Sequence, residues 1–151
     1  MAAKDGQRDP FIPPKRPLFR FRNKENSELL LTCTDRAKDV AEMIKRQKGD
    51  GVFGPKLTKD QVEMEAKKRV IDASGDPSNK EWVLSQSLLQ FGKYQGKNFI
   101  WLLQNDVGWA VMLMSEHEQS REKIIRSSDP QWDNKEALYR YPNYIFNCIF
   151  K

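Results

Sequence analysis

Long apolar runs, paired cysteines and clustered metal ligands are all missing from this chain. No uninterrupted apolar segment approaches about 18 residues, so no transmembrane helix is expected. Cys33 and Cys148 are the two cysteines of 151 residues, and neither belongs to a C-x-x-C pair. That count excludes a disulfide framework and a cysteine-based zinc site, and it favours a reducing, intracellular location, nuclear or cytoplasmic. His117 is the single histidine, so neither an H-E-x-x-H zinc site nor a histidine-based triad can be read. Glu116 and Glu118 flank it, and it reads as part of a solvated helix face. The opening "MAAKDGQRDPFIPPKRP" has no apolar h-region, so a secretory signal is not expected.

Candidate catalytic carboxylates are equally scarce. Aspartates and glutamates lie scattered among lysines and arginines, and no pair is isolated in an apolar stretch where burial would raise a pKa for acid catalysis. Asp129, Lys135 and Glu136 lack the strand pattern of a nuclease site. "GDGVFG", residues 49–54, matches G-x-G-x-x-G, but a charged helix precedes it and Pro55 follows, so it reads as a loop and not a dinucleotide cradle. No catalytic residue, metal or cofactor is expected, and an enzyme is not.

Charge is present and unevenly placed. The formal net charge is +5. Residues 1–24 hold seven basic side chains against Asp5 and Asp9, which leaves the remaining chain neutral. Basic surface on the folded body must therefore be local. Residues 1–18 also carry Pro10, Pro13, Pro14 and Pro17, and read as an extended, disordered arm. "LFRFR", residues 18–22, alternates apolar and basic residues and suits a short edge strand.

A helical N-terminal region, 19–80, follows the arm. Thr34 caps a helix bearing Ala37, Val40, Ala41 and Ile44, and Thr58 caps a second with Val62, Ala66 and Val70. From Trp82 the chain reads as an extended run into a turn bounded by Gly92 and Gly96. A short helix holding Phe99, Leu102 and Leu103 comes next, then one from Gly108 to about Glu122 with its core in the first half. The last helix is expected to break at Pro142 before the aromatic "NYIFNCIF". The fold class is thus α+β, mostly helical, with a small β-hairpin around residues 84–98.

The densest constellation is "QFGKYQGKNFIWLLQND", residues 90–106. Two glycines frame Lys93, Tyr94 and Gln95, with Lys97 just outside. Such a turn can project both lysines toward phosphates and offer Tyr94 to stack on an unpaired base. Alternatively, Tyr94 joins Phe91, Phe99 and Trp101 in the core and the lysines are only solvated. The segment, with Asn105-Asp106-Val107-Gly108-Trp109 and "NKEALYRYPNY" downstream, resembles the C-terminal domain of exodeoxyribonuclease X, a module that recurs in animal proteins. The likeness spans about residues 84–145, within a module placed at 81–151, either separate from 19–80 or forming one compact domain with it. It implies an accessory module, which in the bacterial enzyme stands beside a separate exonuclease domain, and a contact with DNA or RNA.

Two functions follow as expectations. One is a non-catalytic nucleic-acid-binding accessory module that uses Lys93, Tyr94 and Lys97 on the turn with Lys15, Arg16, Arg20 and Arg22 on the basic arm. The other is a protein-interaction or scaffold domain whose aromatic C-terminus meets a protein partner. Neither involves a membrane.

Overall fold

The computed structural model describes residues 16–26, 28–123 and 130–149, apart from the side chains of residues 122, 123, 130 and 143–149. Short polar side chains start the helices. Thr34 accepts from the Ala37 amide at the head of α1 (Asp35–Gly49), whose last turn sets Arg46 and Lys48 against the negative end of the helix dipole. Thr58 and Gln61 form a reciprocal capping box on α2 (Lys59–Asp72). Asn79 caps α3 (Lys80–Ser85), and Asn98 caps α4 (Phe99–Asn105). Two longer helices follow, α5 (Val107–Lys123) and α6 (Pro130–Ile149). Strand β1 (Phe21–Asn23) pairs antiparallel with β2 (Glu28–Leu29), Phe21 opposite Leu29. The fold is α+β and mostly helical, with one small antiparallel hairpin among the described residues.

That hairpin lies at 21–29, not at 84–98. Residues 84–98 do reverse direction, but with a single isolated antiparallel bridge, Leu88 with Asn98. The run from Trp82 begins helical, because Asn79 caps α3 and burial against α2 outweighs its β-leaning composition. Val83 packs with Ala66 and Val70 in a small cluster, with Trp82 against it.

The main core is continuous across the chain. Ala37, Val40 and Ile44 of α1 meet Leu89, Phe91 and Tyr94 of the turn segment. Phe99, Leu102 and Leu103 of α4 join them, with Ala110 and Leu113 of α5 and Leu138 and Tyr141 of α6. Residues 19–80 and 81–151 therefore share one core through α1. A close approach seals it: a Cβ on Gly108 would stand 2.3 Å from the Leu31 carbonyl oxygen, so glycine lets the α5 start meet the strand-to-helix link.

Two helix readings change. The buried stripe of α5 runs Val107, Ala110, Leu113 and His117, while Val111 and Met112 face solvent. The core side of α5 thus extends past its first half. α6 continues through Pro142, which is fully buried beside Tyr141. Packing there holds the helix together despite the missing amide. No helix among the described residues is long and apolar enough to cross a membrane.

The expected arm, 1–18, falls largely outside the described residues, but its end is docked. Arg16 Nε pairs with Glu81 Oε1 at 2.9 Å, Pro17 is buried, and the Leu18 amide donates to Gln104 Oε1 at 2.9 Å.

Burial also fixes an alkaline limit. Tyr94 and Tyr141 both have phenol pKa values pushed up from 10.0, chiefly by desolvation, and for Tyr94 also by its bond to Asp106. Their raised native pKa means the unfolded state loses these protons first. Stability should be level up to the ordinary phenol value and fall as pH rises beyond it. Urea midpoints across that range check this, and a midpoint that stays flat in alkali would contradict it.

Candidate functional site

The glycine-bounded turn is built to hold Tyr94 inward. Gly92 and Gly96 take positive φ, 78° and 92°. The Gln95 amide donates to the Gly92 carbonyl, and the Gly96 amide to that of Leu89. A side chain at Gly92 would also collide with the Trp109 ring, 2.8 Å from the added Cβ. Tyr94, 1% exposed, meets Trp101 and Trp109 edge-to-face, each with centroids 5.3 Å apart. Its hydroxyl donates to Asp106 Oδ2 at 2.6 Å. Asp106 Oδ1 in turn accepts the Trp109 amide at 3.2 Å and caps α5. One buried carboxylate thus ties the turn to the helix that follows.

Lysines from four parts of the chain surround this turn. Lys93 Nζ lies 3.5 Å from Asp106 Oδ2 and over the Tyr94 and Trp109 rings. Lys48, from the end of α1, donates to the Gly92 carbonyl at 2.6 Å. Lys56, from the loop between α1 and α2, donates to the Gln90 carbonyl at 2.9 Å. Lys135, from α6, holds its Nζ 5.2 Å from the Phe91 ring centroid. Each ammonium has three donors, so a carbonyl bond leaves two for a further acceptor. Among the described residues, Lys93 alone of these four has a carboxylate partner. The local basic surface expected of a neutral body is this lysine collar.

Asn134 fixes the collar to α6. Its Oδ1 accepts the Gln90 amide and its Nδ2 donates to the Leu88 carbonyl, both at 2.9 Å, and it is 3% exposed. Asn134→Ala orphans both backbone groups and should cost about 2–4 kcal/mol, readable as a lower urea midpoint. A loss below about 0.5 kcal/mol would mean that the clamp carries little of the turn's stability.

The expected site residues separate under this geometry. Lys93 stands in the collar, while Lys97 lies on the other side of Tyr94, its Nζ 5.4 Å from the Trp101 ring centroid. Tyr94 is not an exposed stacking platform: its ring is core and its hydroxyl is bonded inside. Arg16 is committed to Glu81. Arg20 donates to the Thr32 and Asn105 carbonyls, holding the hairpin strand to the end of α4. Arg22 is exposed and loosely paired with Glu28 at 3.7 Å. Lys15 lies outside the described residues. Of the aromatic C-terminus, Tyr141 and Pro142 are core, and the side chains beyond them lie outside the described set.

His117 departs furthest from its expected place. It is 3% exposed, with Nε2 2.8 Å from Glu136 Oε1. Glu136 also takes Arg121 Nε at 3.2 Å and Arg140 Nε at 3.6 Å. Its acidic neighbours suggested a solvated face. The signal that places it inside is spacing, since 117 continues the stripe through 110 and 113 at helical intervals. No group of three or more His, Cys, Asp or Glu side chains among the described residues is placed to hold a metal. Compared with protein-family models, curated proteins and solved structures, the chain finds no significant match.

Proposed function

We propose that this protein is a non-catalytic nucleic-acid-binding accessory module whose contact surface is the lysine collar. The supporting observation is the convergence of Lys48, Lys56, Lys93 and Lys135 on one turn of a body with no net charge. Spaced along a rigid turn, four ammonium groups suit successive phosphates, which fix position without reading sequence. The motif likeness to the exonuclease accessory domain points the same way. The arm's role shrinks in this reading, because Arg16 and Arg20 are spent on the fold, while Arg22 and Lys24 are exposed.

Anisotropy titration against single-stranded and duplex oligonucleotides tests the proposal. Four phosphate contacts should give a slope of log affinity on log salt near −3, with micromolar or weaker affinity at physiological salt. Binding that ignores salt, or no binding by about 100 µM, would contradict it.

A scaffold role keeps one observation in its favour. Met64 and Ile71, 64% and 56% exposed, stand seven residues apart on α2 and offer an uncovered apolar strip. The strip is narrow and edged by Lys67 and Lys68, so the collar remains the stronger feature.

A further inference from the structure

The cleft between α5 and α6 holds a cavity of about 280 Å³ adjoining the collar. We propose that it receives one unpaired nucleobase, so that the module prefers single-stranded or frayed nucleic acid to duplex; this rests on the collar reading and deepens it. Two rings stand in the lining where a base would lie. Leu113, the His117 ring and the Trp132 indole line the space, with the two rings 5.1 Å apart at centroid and tilted by 57°. The His117 ring is already fixed, because Glu136 holds Nε2 and is itself held by Arg121 and Arg140. A base entering such a site meets walls that need little ordering.

The polar lining suits the edge of a base better than a free anion. Ser120 donates to the Glu116 carbonyl at 3.2 Å, so its oxygen and the Glu116 carboxylate can accept while Lys135 donates, a match to the mixed edge every base presents. Glu116 would repel a phosphate in the cavity, whereas it can accept from an exocyclic amine.

Lys135 links the two features. It lines the cavity and also stands over Phe91, next to Gly92, whose carbonyl receives Lys48. A strand with its phosphates on the collar therefore passes the cavity mouth. The volume lies at the lower end of small-molecule sites, enough for one base and not for a paired one. A base must leave its stack to enter, which a single strand allows at small cost and a duplex does not.

Ser120→Trp is the direct test. Ser120 is exposed on α5, so the larger ring fills the cavity from its surface side. The parent should bind a single strand of about twelve nucleotides roughly tenfold tighter than the matching duplex, and in the variant this ratio should fall toward one. A fluorescent adenine analogue within the strand should change its emission on binding the parent and not the variant. Deoxyadenosine monophosphate, tested on the parent alone, should displace the single strand and leave the duplex bound. If the parent binds both strands with the expected salt dependence but shows no preference and no displacement by the mononucleotide, the pocket is wrong and the collar survives. If the ratio is unchanged in Ser120→Trp, the pocket is equally wrong. If the parent binds neither strand, the collar itself fails and the pocket with it.

Discussion

Tyr94→Ala should cost about 3–5 kcal/mol of stability, because it empties a site at the centre of the turn. Tyr94 is 1% exposed, wedged edge-on between Trp101 and Trp109, and its hydroxyl bonds the carboxylate that caps α5. Alanine removes the ring that both tryptophans rest on and leaves Asp106, 5% exposed, without its shortest partner. Tyr94→Phe keeps the ring and loses only the bond to a charged acceptor, so about 1.5–3 kcal/mol is expected. The order of the two variants in urea, with alanine much the lower, checks the packing separately from the hydrogen bond. Had Tyr94 been an exposed stacking residue, alanine would leave the urea midpoint in place and weaken single-strand binding alone. The buried geometry predicts the reverse order of effects.

The same residue shows where sequence reasoning succeeds and where it stops. Gly92 and Gly96 announced a turn, and their positive φ values bear that reading out. Local spacing could not say which way Tyr94 points, since that depends on Trp101, Asp106 and Trp109 arriving from the next two helices. The capping residues Thr34 and Thr58 and the stripe Val62, Ala66 and Val70 were legible because their physics is local. The hairpin at 21–29 was legible only in part: alternation in "LFRFR" suggested a strand, while its partner β2 is two residues long and carries no pattern. Likewise α3 is too short for a helical period to show against its apolar composition.

The collar was the least legible feature. Lys93 stood out because it sits inside the motif, but Lys48, Lys56 and Lys135 are ordinary lysines in sequence. They lie 45, 37 and 42 positions from Lys93, and only the fold brings them to one turn. The arginines of the docked arm show the converse. Their density near the N-terminus suggested a contact surface, and the fold uses Arg16 and Arg20 to hold the strand segment to α3 and α4. His117 was misplaced for a related reason. Flanking glutamates are neighbours in sequence, yet on a helix the adjacent residues face away, and the partner that matters is Glu136 on α6.

The collar stands or falls on one comparison of salt slopes. Lys48→Gln, Lys56→Gln, Lys93→Gln and Lys135→Gln combined remove four charges while keeping chain length and a donor at each position. Lys48 and Lys56 bond carbonyls, Lys93 faces Asp106 and Lys135 is half-buried, so the urea midpoint should fall while the variant stays folded. Duplex binding measured between about 50 and 200 mM salt should weaken on the order of 100-fold for the parent and hardly at all for the variant, a flattening of about three to four slope units. A folded variant that keeps the parent's affinity and slope would show that no phosphate touches these lysines, and they would then only support the turn, Lys48 and Lys56 by capping its carbonyls, Lys93 through Asp106 and Lys135 over Phe91.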